Sequence, residues 1–254
     1  MLTKQPSVET LRSIADALEP ILRQAGEAIV RLYHLPEHAI STKSDLSPVT
    51  DADMASHHLL VDALAKITPQ WPVVSEEDVV ALPEQNVPYW LLDPLDGTKE
   101  FIARTGEFSI NLGLVIDQQA AFGLLYGPMD QLLWRGGWGI PAEMRRGDSA
   151  WTPIRCRHRP SDGGVLISSR RSAATPDGES FSRRDHLGSA LKFGRIAQGD
   201  ADVYVRRGPT MEWDTCAGQA IVESAGGSVM TLSNAPLRYS KAGFLNPGFI
   251  VRGD

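Results

Sequence analysis

Leu91-Leu92-Asp93-Pro94-Leu95-Asp96-Gly97-Thr98-Lys99-Glu100-Phe101 is the stretch from which the rest of the chain is read. The apolar run from Tyr89 to Leu92 predicts a short buried strand. Pro94 lacks a backbone donor and holds Asp93 extended, which predicts that the strand stops there. Two carboxylates, a glycine and a hydroxyl follow within one turn. Asp93 and Asp96 can point into the same space, where bare carboxylates repel each other, and a divalent cation is the usual remedy. The Leu95 carbonyl lies between them as a further oxygen donor, and an all-oxygen set suits a hard ion such as Mg²⁺. Gly97 lets the backbone approach an anion, and Thr98 can aim its hydroxyl and N–H at a phosphate. The competing reading is an Asx-rich turn with solvated carboxylates.

Two further acidic motifs favour the metal reading. Val74-Ser75-Glu76-Glu77-Asp78 ends a predicted strand, and Trp213-Asp214-Thr215-Cys216-Ala217-Gly218 starts a predicted helix. With Asp93-Pro94-Leu95-Asp96-Gly97-Thr98 they resemble, in order, the motifs of the inositol monophosphatase superfamily of metal-dependent, lithium-sensitive phosphatases. Gly188-Ser189-Ala190-Leu191-Lys192-Phe193 and Phe244-Leu245-Asn246-Pro247-Gly248-Phe249 are similar to the bacterial bisphosphate nucleotidase (CysQ-type) branch. The resemblance runs from about Leu11 to the C-terminus.

The resemblance implies an α/β (α+β) fold, a layered αβαβα sandwich with the site between an N-terminal α+β half, 1–155, and a C-terminal α/β half, 156–254. It implies two or more Mg²⁺ ions held by Glu76, Asp93, the Leu95 carbonyl, Asp96 and Asp214, with Li⁺ and Ca²⁺ inhibitory. Asp53, in Val49-Thr50-Asp51-Ala52-Asp53, matches a carboxylate that adjoins the metals, and Asp51 is the alternative if the alignment slips by two. Thr98, oriented by Asp53 or Glu76, would activate water, and Gly97 and Thr98 would cradle the phosphate. Lys192 is implied as a nucleotide-phosphate contact. Ser169-Arg170-Arg171-Ser172 departs from the branch's pattern by lacking a histidine, yet Ser169 and Arg170 remain candidate phosphate contacts. Arg170, Arg171, Arg183 and Arg184 either clamp a second phosphate bidentately or form a solvated basic loop. The implied reaction is hydrolysis of the 3′-phosphate of adenosine 3′,5′-bisphosphate. The alternatives are an inositol- or histidinol-type monophosphatase and a non-catalytic regulatory homologue.

Composition sets the outer bounds. The 254 residues, 42% hydrophobic, suffice for a large core, and a formal net charge of -6 argues against a general nucleic-acid binder. The partner expected is a small phosphorylated nucleotide, and monomer and homodimer both stay open. No apolar run reaches membrane-spanning length, and the N-terminus lacks a signal-peptide pattern. The expected location is the cytoplasm; peripheral attachment at the inner membrane finds no amphipathic basic helix to support it. Cys156 and Cys216 read as packing residues.

The remaining elements follow from periodicity. Val8 to Leu32 is helical, with Pro20 either kinking it or starting a second helix. A polar loop from Lys43 to Asp53 leads into a helix from about Asp53 to Lys66, while His34 and His38 read as loop histidines and His57 and His58 as surface or packing residues. Phe108 to Ile116, Ala120 to Tyr126 and Gln131 to Arg135 form an antiparallel meander. A boundary is expected in the arginine- and turn-rich stretch from Pro141 to Pro160, followed by a strand over Gly164 to Ser168 and a polar loop to Gly188. Leu191 to Ala197 and Thr210 to Glu223 read as helices; Asp202 to Arg206, Ser228 to Thr231 and Gly248 to Val251 read as strands.

Overall fold

The computed structural model describes residues 5–35, 40–42, 48–79, 81–84, 87–170 and 172–253. His38, residues 43–47 of the expected polar loop, and Arg171 lie outside them. The first half runs α1 (Val8–Tyr33), β1 (Ile40–Thr42), β2 (Pro48–Thr50), α2 (Asp51–Ile67), β3 (Val73–Ser75), β4 (Tyr89–Asp96) and α3 (Thr98–Ile102). It continues with β5 (Ser109–Ile116), β6 (Gln119–Gly127), β7 (Leu132–Gly137), β8 (Ile140–Arg146) and β9 (Thr152–Pro153). The second half comprises β10 (Val165–Ser168), β11 (Arg183–His186), α4 (Leu191–Ala197), β12 (Val203–Arg206), β13 (Thr210–Met211) and α5 (Cys216–Ser224). It closes with β14 (Ser228–Thr231), β15 (Leu245–Asn246) and β16 (Phe249–Arg252).

β3 to β9 form a seven-stranded sheet in chain order, antiparallel except for the parallel β3–β4 pair. α1 and α2 cover one face, where Leu18, Leu22, Leu60 and Leu64 pack on Trp90, Leu92, Leu112 and Leu124. From the opposite face of β4, Tyr89 and Leu91 join Trp213, Cys216 and Ala220. Helices on both sides explain why Tyr89 to Leu92 is continuously apolar rather than alternating. α5 lies directly on the sheet: a Cβ at Gly123 would stand 2.3 Å from the Ala217 carbonyl oxygen, so only glycine permits that approach.

A five-stranded sheet, ordered β11-β10-β12-β16-β14, covers the far side of α4 and α5. Trp134 from the first sheet, Phe193 and Ile221 from the helices, and Tyr204 and Phe249 from the second sheet share one core. The outer face of this sheet presents Leu166, Val203 and Val205, with Ala174 and Phe181 packed over them. The layered mixed α/β architecture is therefore present. Its outermost cover is the irregular segment 172–182, in which Pro176 and Gly178 discourage a helix.

Six local expectations are corrected. Residues 48–50, expected in the polar loop before Asp53, form β2, and α2 already begins at Asp51. Residues 210–214, expected in a helix running to Glu223, form β13 and a 3₁₀ turn, with α5 starting only at Cys216. β4 does not stop at Pro94 but runs on to Asp96, because the register with β5 shifts between Asp93 and Asp96. A bulge takes Pro94 out of the ladder, so its missing donor costs no sheet hydrogen bond. α1 passes through Pro20 as one helix rather than starting a second there, with Leu18 and Leu22 fully buried on either side; that burial offsets the roughly 3 kcal/mol a helix-interior proline costs. Residues 140–146, expected in a turn-rich stretch, form β8, with Ile140 and Ala142 inward and Pro141 outward. Residues 183–186, expected in a loop, are the charged edge strand β11, whose arginines protect an open edge from further pairing.

Candidate active site

The bulge in β4 builds one side of the site. Asp93 precedes it and is buried, its Oδ1 accepting from the Leu95 N–H at 3.1 Å. The Pro94 carbonyl accepts from Ser56 Oγ of α2 at 2.8 Å, pinning the bulge from below. Glu76 directly follows β3, and its N–H donates to the Leu92 carbonyl at 3.1 Å, extending the parallel pairing until Glu76 stands beside Asp93. Asp214 arrives from the second half on a single 3₁₀ turn, Glu212–Asp214, ahead of α5, and accepts from the Met211 N–H at 2.8 Å.

Carboxylate oxygens of Glu76, Asp93 and Asp214 all lie within 4.8 Å of one another. Burial, and then the charges of Glu76, Asp96, Asp214 and Asp53, push the Asp93 carboxyl well above its ordinary value. Burial followed by Asp96 does the same to Asp214. Oxygen-only donors crowded against their own repulsion fit a divalent cation, which removes both penalties at once.

The other expected residues surround this trio. Asp53 is buried in the first turn of α2 and adds its charge to the field on Asp93. Asp96 stands apart from the trio: its Oδ2 accepts from Asn111 Nδ2 at 3.2 Å and from the Ala190 N–H at 2.5 Å. Burial raises the Asp96 carboxyl, against the pull of Lys192. The Leu95 carbonyl accepts from Thr98 Oγ1 at 3.3 Å, and Gly97 has φ +96°, where a Cβ would press 2.9 Å from the Glu107 carbonyl oxygen.

A cavity of about 290 Å³ opens beside these carboxylates, lined by Asp96, Asp214, Ser169, Lys192, Tyr204 and Arg206 among others. Lys192 is buried; its ammonium donates to the Leu187 carbonyl at 3.2 Å and to that of Ser189, and burial pushes its pKa down to about 8, with Asp96 opposing. Arg170 does not line this cavity and is ion-paired with Glu107. Arg183 pairs with Asp185, and Arg184 donates to the Ala174 carbonyl and Thr175 Oγ1; both line a separate groove.

Two residues escaped the sequence reading. Asn111 orients Asp96 and is itself held by Ser109 Oγ at 3.0 Å; the available signal was a lone amide inside an apolar strand. Arg206 lines the cavity with its Nε buried and unpartnered, while its other nitrogens reach Ser169 Oγ at 3.5 Å and the Pro209 carbonyl at 3.0 Å. Its signal was the charge that closes the alternating run Asp202-Val203-Tyr204-Val205-Arg206.

Residues 10–248 match the inositol monophosphatase family, and the chain belongs to it. The family is metal-dependent. Among relatives, the chain is 38% identical over 247 residues to the 3′(2′),5′-bisphosphate nucleotidase CysQ of Escherichia coli K12, which covers 93% of this chain and 98% of that protein. It is 33% identical to the CysQ nucleotidase of Buchnera aphidicola, covering 94% of this chain and 93% of that one. The crystal structure of CysQ from Bacteroides thetaiotaomicron matches with a TM-score of 0.81 at 33% identity, covering 96% and 97% of the two chains. An inositol monophosphatase from Zymomonas mobilis matches with a TM-score of 0.78 at 25% identity, covering 98% and 95%.

Proposed function

We propose that the protein hydrolyses the 3′-phosphate of adenosine 3′,5′-bisphosphate to AMP and phosphate, at a Mg²⁺ site shared by the two halves of the chain, 1–155 and 156–254. The observation that carries this reading is the convergence of Glu76, Asp93 and Asp214, the last of which lines a cavity that Lys192 and Arg206 also line. The acids suit metal and the reacting phosphate, and the cations suit a second phosphate. The likeness to the CysQ nucleotidases supports the same substrate.

Glu76, Asp93, Asp214, the Leu95 carbonyl and Asp96 are the groups assigned to Mg²⁺; Asp96 needs only to turn from Asn111 and Ala190. Bound Mg²⁺ supplies acidification of a water and neutralisation of phosphate charge. The protein's own groups do the positioning. Thr98 Oγ1 orients the attacking water, and Asp53 or Glu76 takes up its proton. The Gly97 and Thr98 backbone N–H groups hold the phosphate oxygens, with no covalent protein intermediate. Ser169, Lys192 and Arg206 bind the phosphate that does not react. Arg170, engaged by Glu107, is left out of direct contact in this reading.

Phosphate release from adenosine 3′,5′-bisphosphate and from inositol monophosphate, measured side by side with Mg²⁺ and with EDTA, tests the proposal. A large preference for the nucleotide, abolished by EDTA, is expected. Preference for inositol phosphate keeps the metal chemistry and overturns the substrate.

A further inference from the structure

One wall of the cavity is Gly188 to Ala190, in the segment that joins β11 to α4 and contains no regular structure to hold its shape. Ser189 adopts φ +48°, a conformation that costs a non-glycine residue energy and persists only where surroundings enforce it. Three groups enforce it. The Lys192 ammonium gathers the Leu187 and Ser189 carbonyls from beneath. Asp96 accepts the Ala190 N–H. Glu107, from the loop before β5, accepts the Gly188 N–H through Oε2 at 2.9 Å.

Contact at Gly188 is close enough to exclude a side chain. A Cβ there would stand 2.5 Å from the Glu107 carbonyl oxygen and 2.7 Å from Glu100 Cγ, so the wall rests directly on the backbone of the first half. Glu107 is fixed in its turn. Arg170 grips both of its oxygens, Nε to Oε2 at 2.9 Å and the second nitrogen to Oε1, and the Glu107 side chain is only 14% exposed. Fork-to-fork pairs of this kind define geometry as well as contribute energy.

We propose that Glu107, locked by Arg170, is a positioning residue that fixes the Gly188–Lys192 wall and so sets the preference for a substrate bearing a second phosphate over a monoester lacking one. The inference rests on the nucleotidase reading. Lys192 is the link: its ammonium is tied to the carbonyls of the turn that Glu107 pins, so slack in the turn displaces the cation. Glu76, Asp93 and Asp214 sit on other elements, while Asp96, also assigned to Mg²⁺, touches the wall through the Ala190 N–H. Asp96 keeps its own bond to Ala190 when Glu107 is lost, so the loss falls first on Gly188 and on the Lys192 ammonium tied to the same turn.

The test pairs kinetics with amide hydrogen exchange. Adenosine 3′,5′-bisphosphate is compared with adenosine 3′-monophosphate, which keeps the reacting ester and lacks the 5′-phosphate. Glu107→Ala is expected to raise KM for the bisphosphate about tenfold while kcat and the monoester's KM move by less than about threefold. Glu107→Gln, which keeps an acceptor for Gly188 but gives up the charge, and Arg170→Met fall between wild type and Glu107→Ala. Exchange at the Gly188, Ser189 and Ala190 amides accelerates in the same order. Unchanged KM, equal losses on both substrates, or unaltered exchange at these amides overturns the proposal. Should Glu107→Ala fail to fold, the Gln and Met variants carry the same test. A wild-type protein inert toward the bisphosphate overturns the nucleotidase reading and the substrate half of this inference, while the exchange data alone decide whether Glu107 holds the wall.

Discussion

Asp93→Asn removes one negative charge from the centre of the acidic trio and changes almost nothing else. The Asn Oδ1 still accepts from the Leu95 N–H, so the bulge keeps its shape. With oxygens no more than 4.8 Å apart, each fully ionised pair repels by about 3.5 kcal/mol at an effective dielectric constant near 20. Partial protonation already relieves much of this, since Asp93 and Asp214 are both pushed upward. A net gain of about 1–3 kcal/mol is left for the metal-free variant, equivalent to a rise in Tm of about 2–10 °C for a chain of this length.

The pH dependence has a defined sign. A carboxyl raised in the folded state binds more protons there than in the unfolded chain, so stability falls as pH climbs from the ordinary value of 3.8 to the raised one. Metal-free wild type should therefore gain stability when acidified from neutral pH toward that window, and Asp93→Asn should gain less. Thermal denaturation in EDTA and in MgCl₂ reads both effects. The variant melts higher than wild type in EDTA and loses the Mg²⁺-induced rise that wild type shows. A variant that melts lower than wild type without metal, or keeps the full Mg²⁺ response, refutes the electrostatic reasoning.

Three further outcomes are expected. Gly123→Ala drives a methyl group into the Ala217 backbone and costs on the order of 3 kcal/mol, read as a drop in denaturant midpoint at unchanged slope. Lys192→Met removes a buried cation and raises KM for adenosine 3′,5′-bisphosphate by about tenfold or more, with a smaller effect on the 3′-monophosphate, in steady-state assays. LiCl inhibits phosphate release where equal KCl does not, measured by titration at fixed Mg²⁺; identical curves for the two salts contradict the family-type metal site.

Much of the fold was legible because burial imposes local patterns. The double-sided run at Tyr89 to Leu92, the helix at Leu191–Ala197 and the alternation at Val203–Arg206 each carry their environment in their residues. What escaped depended on partners distant in sequence. Pro94 reads as a strand terminator until the bulge against Asn111 and Ser109 removes the need for its donor. Arg183–His186 reads as loop because an edge strand needs only one neighbour and tolerates charge on the other side. The same division holds in the site. Glu76, Asp93 and Asp214 were singled out through their resemblance to the family's motifs, whereas Arg206 gained significance only when folding put it in the lining of the same cavity as Asp214. Arg170 was a candidate phosphate contact through its resemblance to the branch's pattern, beside the reading of a solvated basic loop, and its engagement by Glu107, 63 residues earlier, was invisible there.

The most direct test of the whole account is phosphate release from adenosine 3′,5′-bisphosphate by wild type and Asp93→Asn in saturating Mg²⁺. Rapid release by wild type and a loss of at least about a thousandfold in the folded variant are predicted, as expected when a group central to transition-state charge stabilisation is removed. Comparable turnover by the two proteins would contradict the assignment of the Glu76, Asp93 and Asp214 cluster as the catalytic metal site.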